Sequence, residues 1–258
     1  MGGKKDGGTT VDRRTLLKAA GAGSISLGGV TLGSAKQQEE TIVLGGAMSL
    51  TGDNAGIGRL YKDAYQLTID RINENGGFTK NGTTYKLEMI LRDDATDASN
   101  AKNIYTELIS QENVKYLLGP YASGVTLPAS VIAAKNQLPM VEGGGSSVEI
   151  FNQGNEWIFG LLPTTDRYTP ALIEMARNQQ PNPKTAAILA QGDTFSQNVA
   201  DGARAVLKNS DINLAVNETL PGSVSNLSSQ MSKVRQADTD LLMVMGHQQH
   251  AILMANAL

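Results

Sequence analysis

The segment from Tyr116 to Ser147, YLLGPYASGVTLPASVIAAKNQLPMVEGGGSS, leaves few folds open. A short apolar run, Tyr116–Leu118, halts at Gly119-Pro120. A helical pattern follows from about Val125 to Lys135. A second apolar run, Leu138–Val141, ends in Gly143-Gly144-Gly145-Ser146-Ser147. Two strands joined by a helix run parallel, because a crossover of that length returns the chain to the same end of the sheet. Both small-residue turns then lie beyond strand C-terminal ends, where open α/β sheets bind ligands. Ser123, Gly144 and Ser146 offer N–H groups and hydroxyls with little side-chain cover, which suits a small anion such as a carboxylate.

The same alternation runs along the chain. Thr41–Met48 reads as a strand, residues 49–58 as a loop, and Arg59–Asn75 as a helix whose apolar face carries Leu60, Ala64, Leu67 and Ile72. Gly76-Gly77 stops that helix, and Asn81-Gly82 turns the chain into a strand over Tyr85–Leu91. A helix over Ala98–Ser110 precedes the opening segment, and Trp157–Gly160 follows it as a further short strand. After a crossing segment at Leu161–Thr165 the pattern restarts. Helices are expected at Tyr168–Asn178, Phe195–Asn209 and Asn226–Ala237 and from about Gln248. Strands are expected at Thr185–Ala190, Ile212–Asn217 and Leu241–Met245. The fold class is α/β, with two Rossmann-like lobes over residues 36–163 and 164–258. The second lobe shows three clear strands and is expected to be incomplete, which predicts uncovered apolar surface and poor stability for residues 36–258.

Composition narrows the chemistry. Residues 1–35 carry Lys4, Lys5, Arg13, Arg14 and Lys18 ahead of a mildly apolar Gly/Ala/Ser segment, and Asp12-Arg13-Arg14-Thr15-Leu16-Leu17-Lys18 looks like a twin-arginine export signal. The sequence has no cysteine, two histidines and a net charge of −3, so it offers no disulfide, no thiolate site and no basic footprint for nucleic acid. Gly52–Gly58 lacks the Lys-Ser/Thr ending of a phosphate loop, and no serine stands in a G-x-S-x-G elbow. Asp93-Asp94-x-x-Asp97 follows a strand and opens a helix, so helix capping by Asp97 and a solvated loop account for it without a metal. Asp53, Glu142 and Asp193 fall where they could sit near a cleft, but nothing marks them as acid or base, and an exposed loop carboxylate is the default reading for each. Tyr121, Phe195 and Tyr168 fall at strand–helix junctions, where they line a cleft or pack in the core.

Taken together, the motifs resemble the leucine/isoleucine/valine-type substrate-binding proteins of ABC importers. The resemblance covers nearly all of residues 41–258. It rests on Gly46-Ala47-Met48-Ser49-Leu50-Thr51-Gly52, on Ile69-Asp70-Arg71-Ile72-Asn73-Glu74-Asn75-Gly76-Gly77, on Asp93–Asp97 and on Gly119-Pro120-Tyr121-Ala122-Ser123-Gly124. Leu138-Pro139-Met140 leading into Gly143–Ser147, and the run Leu227–Val234, add to it. It implies a type I periplasmic-binding fold and a non-enzymatic role. The expected protein is an extracytoplasmic monomer that takes a small-molecule amino acid ligand, branched-chain or otherwise hydrophobic. It passes that ligand to an ABC permease and uses no cofactor, metal or nucleic acid. On matching positions the ligand site comprises Tyr121, Ser123, Gly144 and Ser146 from the first lobe and Phe195, His247 and Gln248 from the second. Ile57 stands where an aromatic residue is frequent. A ligand sensor on the same fold and an α/β hydrolase are the other readings.

Overall fold

In the computed structural model the described residues are 38–257; the segment read as an export signal lies outside them. A first sheet has the order β2-β3-β1-β4-β5-β6. Its strands are β1 (Gln38–Met48), β2 (Phe78–Lys80), β3 (Thr83–Asp93), β4 (Tyr116–Leu118), β5 (Met140–Glu142) and β6 (Ile158–Gly160). All neighbours pair in parallel except β2, an unexpected edge strand that the Asn81-Gly82 turn folds back antiparallel onto β3.

Register sorts the short strands by face. Leu117, Met140 and Ile158 stand side by side and are buried under α2 (Ala98–Ser110) and α3 (Ser123–Lys135). The next row points the other way, and its Val141 and Phe159 are exposed. The acidic run Asp93–Asp97 is spent on the loops. Asp97 caps α2 by accepting from Asn100 N, and Asp93 accepts from the N–H groups of Leu50, Thr51 and Ala95. Asp94 corrects the reading of a solvated loop: it is fully buried and accepts from Ser49 Oγ and Thr96 N.

The helix after β1 also departs from expectation. It is α1 (Ala55–Glu74), and it starts earlier because its first turn packs on the loop it leaves, with Gly58 against the Ser49 carbonyl. Leu60 and Leu67 are exposed, at 64% and 53%. The inward stripe instead runs through Gly58, Tyr61, Tyr65, Ile69 and Ile72, part of a turn round the helix from the leucine face. It gives α1 a tyrosine edge beside the Gly143 turn.

The second sheet has the order β8-β7-β9, all parallel, from β7 (Thr185–Gln191), β8 (Asn213–Leu220) and β9 (Leu241–Met245). Central strand β7 is apolar on both faces, as a strand covered from both sides must be. Ala186, Ile188 and Ala190 pack with α5 (Pro170–Arg177) and α6 (Thr194–Lys208). Ala187 and Leu189 pack with α7 (Ser228–Gln236) and with Met254 of α8 (Gln248–Ala257). Along β9 an apolar groove of about 360 Å³ runs between Leu172, Phe195, Leu241 and Met243. A single helical turn, α4 (Val148–Phe151), was not foreseen and lies between β5 and β6. Among the described residues no helix is long and apolar enough to cross a membrane.

Candidate ligand-binding cleft

The two sheets share a strand order. β3-β1-β4 in the first matches β8-β7-β9 in the second, and in each the chain reverses direction across the sheet beside the first strand. Loops leaving a sheet at such a reversal diverge to opposite faces and leave a crevice between them. The loops concerned follow β1 and β4 in the first sheet and β7 and β9 in the second. Their side chains meet. Tyr121, after β4, brings its hydroxyl 2.9 Å from Nδ1 of His247, after β9. His247 Nε2 lies 3.4 Å from Oδ1 of Asp193, after β7. Ser49, after β1, places its Oγ 2.8 Å from Asp94 Oδ1 and 2.9 Å from the Tyr121 carbonyl, tying that turn to its own lobe.

Asp193 is not the exposed carboxylate expected of it. It caps α6, accepting from both N and Oγ of Ser196. Burial acts to raise its carboxyl, but the His247 ring and the Ser196 donors outweigh burial and hold it below the usual carboxylate range. The cap also fixes Phe195 in the first turn of the helix, where it serves both roles weighed for it. It packs on the second-lobe core and stands 5.5 Å from the His247 ring. Ring contacts continue on either side. Tyr168 lies 5.9 Å from Phe195, Tyr121 lies 5.8 Å from His247, and Tyr61 lies 5.6 Å from Tyr121. A row of rings thus runs from one lobe to the other. Burial pushes the Tyr121 hydroxyl up to about 12, so it is a neutral hydrogen-bonding group.

The serine and glycine turns interlock. Ser123, the first residue of α3, accepts at Oγ from the N–H groups of Ser146 and Ser147, each at 3.1 Å. Ser146 accepts at Oγ from the Tyr168 hydroxyl at 3.0 Å. Gly144 and Gly145 turn their N–H groups inward to Glu142 Oε1. A Cβ at Gly144 would come within 3.0 Å of the Pro120 carbonyl, so the two turns touch through backbone. Tyr61 donates to the Gly143 carbonyl at 2.8 Å. Ser147 donates to Asn198 Oδ1 of α6, and Asn198 Nδ2 donates to Glu149 at 3.2 Å, a second link between the lobes. Gln248 begins α8 and reaches toward Gly56 across the gap. With His247, Asp53, Ile57 and Gln191 it lines a cavity of about 800 Å³.

The sequence-predicted residues therefore gather in two places. Tyr121, Phe195 and His247 form the ring contact, with Gln248 beside it. Ser123, Gly144 and Ser146 form the turn behind, joined to the rings through Tyr168. Glu142 corrects the sequence reading most. It is fully buried, and burial pushes its carboxyl up to about 8 although two glycine N–H groups and the neighbouring Thr126 hydroxyl act to lower it. Tyr61, Tyr65, Ser49 and Asn198 were missed. The spacing of Tyr61 and Tyr65, one helical turn apart near the glycine-rich start of α1, was the available signal.

The matches to known proteins agree with this fold. Residues 41–258 match the family described as "Periplasmic binding protein". A Leu/Ile/Val-binding protein homolog of Brucella melitensis is 24% identical over 216 residues, covering 81% of this chain and 51% of that protein. Among solved structures, the branched-chain amino acid transporter substrate binding protein of Streptococcus pneumoniae, in complex with isoleucine, superposes with a TM-score of 0.71 at 20% identity. It covers 81% of this chain and 57% of its own. A solute binding protein of an ABC transporter from Rhodopseudomonas palustris, in complex with p-hydroxybenzoic acid, gives 0.74 at 19% identity over 84% and 57%. The chain spans about half the length of the curated relatives it matches. On its two mainly parallel sheets, its paired switch-point loops and a match over residues 41–258, the chain belongs to the periplasmic binding protein family.

Proposed function

We propose that the protein captures a small carboxylate, an amino acid in the first instance, between its two lobes for delivery to an ABC permease, after export by a twin-arginine signal. The observation that carries this is the meeting of the switch-point loops through Tyr121 and His247. Ser123 and Ser146 each accept hydrogen bonds within the turn and keep a hydroxyl proton to offer a ligand carboxylate. Gly144 shapes that turn, Phe195 and Tyr121 supply ring faces, and His247 and Gln248 close from the second lobe. Ligand then acts by favouring the closed member of an open–closed equilibrium, which the permease reads. The role is binding, in keeping with the relatives' names.

The ring row favours a second reading of the ligand. Aromatic faces at 5.5 to 5.9 Å from one another, edged by phenol and imidazole groups, suit a flat aromatic acid as well as a branched aliphatic side chain. Calorimetric titration with L-leucine, L-isoleucine and 4-hydroxybenzoate separates the two. Saturable binding of at least one is expected. Phe195→Ala should weaken it about fivefold, since an aromatic pair adds about 1 kcal/mol beyond its burial. No heat with any of the three would overturn this assignment of the ligand class.

A further inference from the structure

The turn assigned to the ligand head group is held from behind by a carboxyl to which the ligand site as proposed gives no role. Glu142 ends β5, and the two-residue period that buries Met140 turns Glu142 inward as well. Glycine makes room for it: a Cβ at Gly119 would lie 1.9 Å from Oε2. Oε1 takes the N–H groups of Gly144 and Gly145, while Oε2 meets no hydrogen-bond partner, the nearby Thr126 hydroxyl being turned to the Pro120 and Ala122 carbonyls. The titratable groups facing it are neutral phenols, Tyr61 and Tyr65 of α1 and Tyr105 of α2, each pushed up by burial first and by Glu142 after it. Among the described residues no Lys, Arg or His pairs with it. A carboxyl so placed is a neutral acid at neutral pH, and its ionisation sets an uncompensated charge directly behind the turn.

We propose that Glu142 is a positioning residue for ligand capture: its neutral carboxyl holds the Gly143–Ser147 turn in the shape that presents Ser146, and ionising it weakens binding of a carboxylate. This rests on the reading of the turn as the head-group site. The sign follows from the burial. Burial favours the neutral form, which predominates below about 8. Above that the carboxylate still accepts from the two glycines, but its charge opposes a ligand carboxylate, so affinity falls as pH rises through about 8.

The test is calorimetric titration of wild type, Glu142→Gln and Glu142→Ala with L-isoleucine and with 4-hydroxybenzoate, between about pH 7 and about pH 9.5, spanning the ionisation. Wild-type affinity should fall on the order of tenfold across this range. Glu142→Gln keeps a neutral acceptor for the two glycines and every other titrating group, so its affinity should fall less than that of wild type, by no more than ionisation of the ligand's own amino or phenol group contributes. Glu142→Ala should bind more weakly at every pH. Identical profiles for wild type and Glu142→Gln would overturn the proposal. Amide resonances of Gly144 and Gly145 give a readout that needs no ligand: they should titrate together in wild type and not in Glu142→Gln. If they do not titrate in wild type, the hold itself is refuted. Failure of both probes to bind at pH 7 counts instead against the head-group reading, and the amide titration still decides the role of Glu142.

Discussion

Gly58→Ala lowers the urea midpoint of the protein by an amount corresponding to about 3 kcal/mol, while Gly56→Ala, two positions earlier in the same helix, leaves it level or raises it. By intrinsic propensity both changes should help, since alanine is favoured over glycine in a helix by about 1 kcal/mol. Surroundings decide otherwise. A Cβ at Gly58 would stand 1.9 Å from the Ser49 carbonyl oxygen, a backbone atom that can yield only if the loop after β1 moves. At Gly56 the nearest atom is the end of the Gln248 side chain, at 3.9 Å. Overpacking against backbone belongs at the upper end of the usual penalty. Because the Ser49 loop also ties down Tyr121, Gly58→Ala should weaken ligand capture along with stability. Equal urea midpoints for the two variants would show that α1 does not pack on this loop as described.

Tyr105→Phe costs about 2 kcal/mol, the range for leaving buried partners unsatisfied. Tyr105 is fully buried in α2, and its hydroxyl accepts from Ala47 N at 3.2 Å and donates to the Leu118 carbonyl at 2.6 Å. The bridge is needed because β1 pairs with β4 over Leu44–Gly46 and Tyr116–Leu118, whereupon β4 breaks at Gly119-Pro120 while β1 runs on to Met48. The phenol takes the place of the missing strand neighbour at the sheet edge where the ligand turns begin. Phenylalanine preserves the ring packing and removes that bridge. Tyr116→Phe is the control. Its side chain is 49% exposed, so its urea midpoint should move by less than about 0.5 kcal/mol. A Tyr105→Phe variant as stable as that control would remove the bridge from the account of the fold.

Much of the architecture was legible in the order of residues. Short apolar runs ending in glycine, spaced by helical segments, dictate parallel strands, and a parallel sheet puts its loops at one edge. That logic reached Ser123, Gly144 and Ser146 and put Tyr121 and Phe195 at strand–helix junctions; the family resemblance added His247 and Gln248. Three things resisted it. The inward stripe of α1 runs through glycine and tyrosine, and a search for leucine periodicity found the solvent face. The first turn of that helix holds two glycines, which propensity assigns to a loop. Glu142 was read by its charge, and charged groups are rarely buried without a partner.

What the sequence determined by itself is the fold class, the succession of its elements and the edge of the sheet at which a ligand would sit. These depend on local periodicity and on chain connectivity, and both can be counted along the chain. The protonation state of Glu142, the joining of Tyr121 to His247 and the closing of Gly144 upon Glu142 were decided by tertiary structure. Each depends on how much water surrounds a group and on which distant backbone lies against it. Those quantities do not exist until the two sheets have packed.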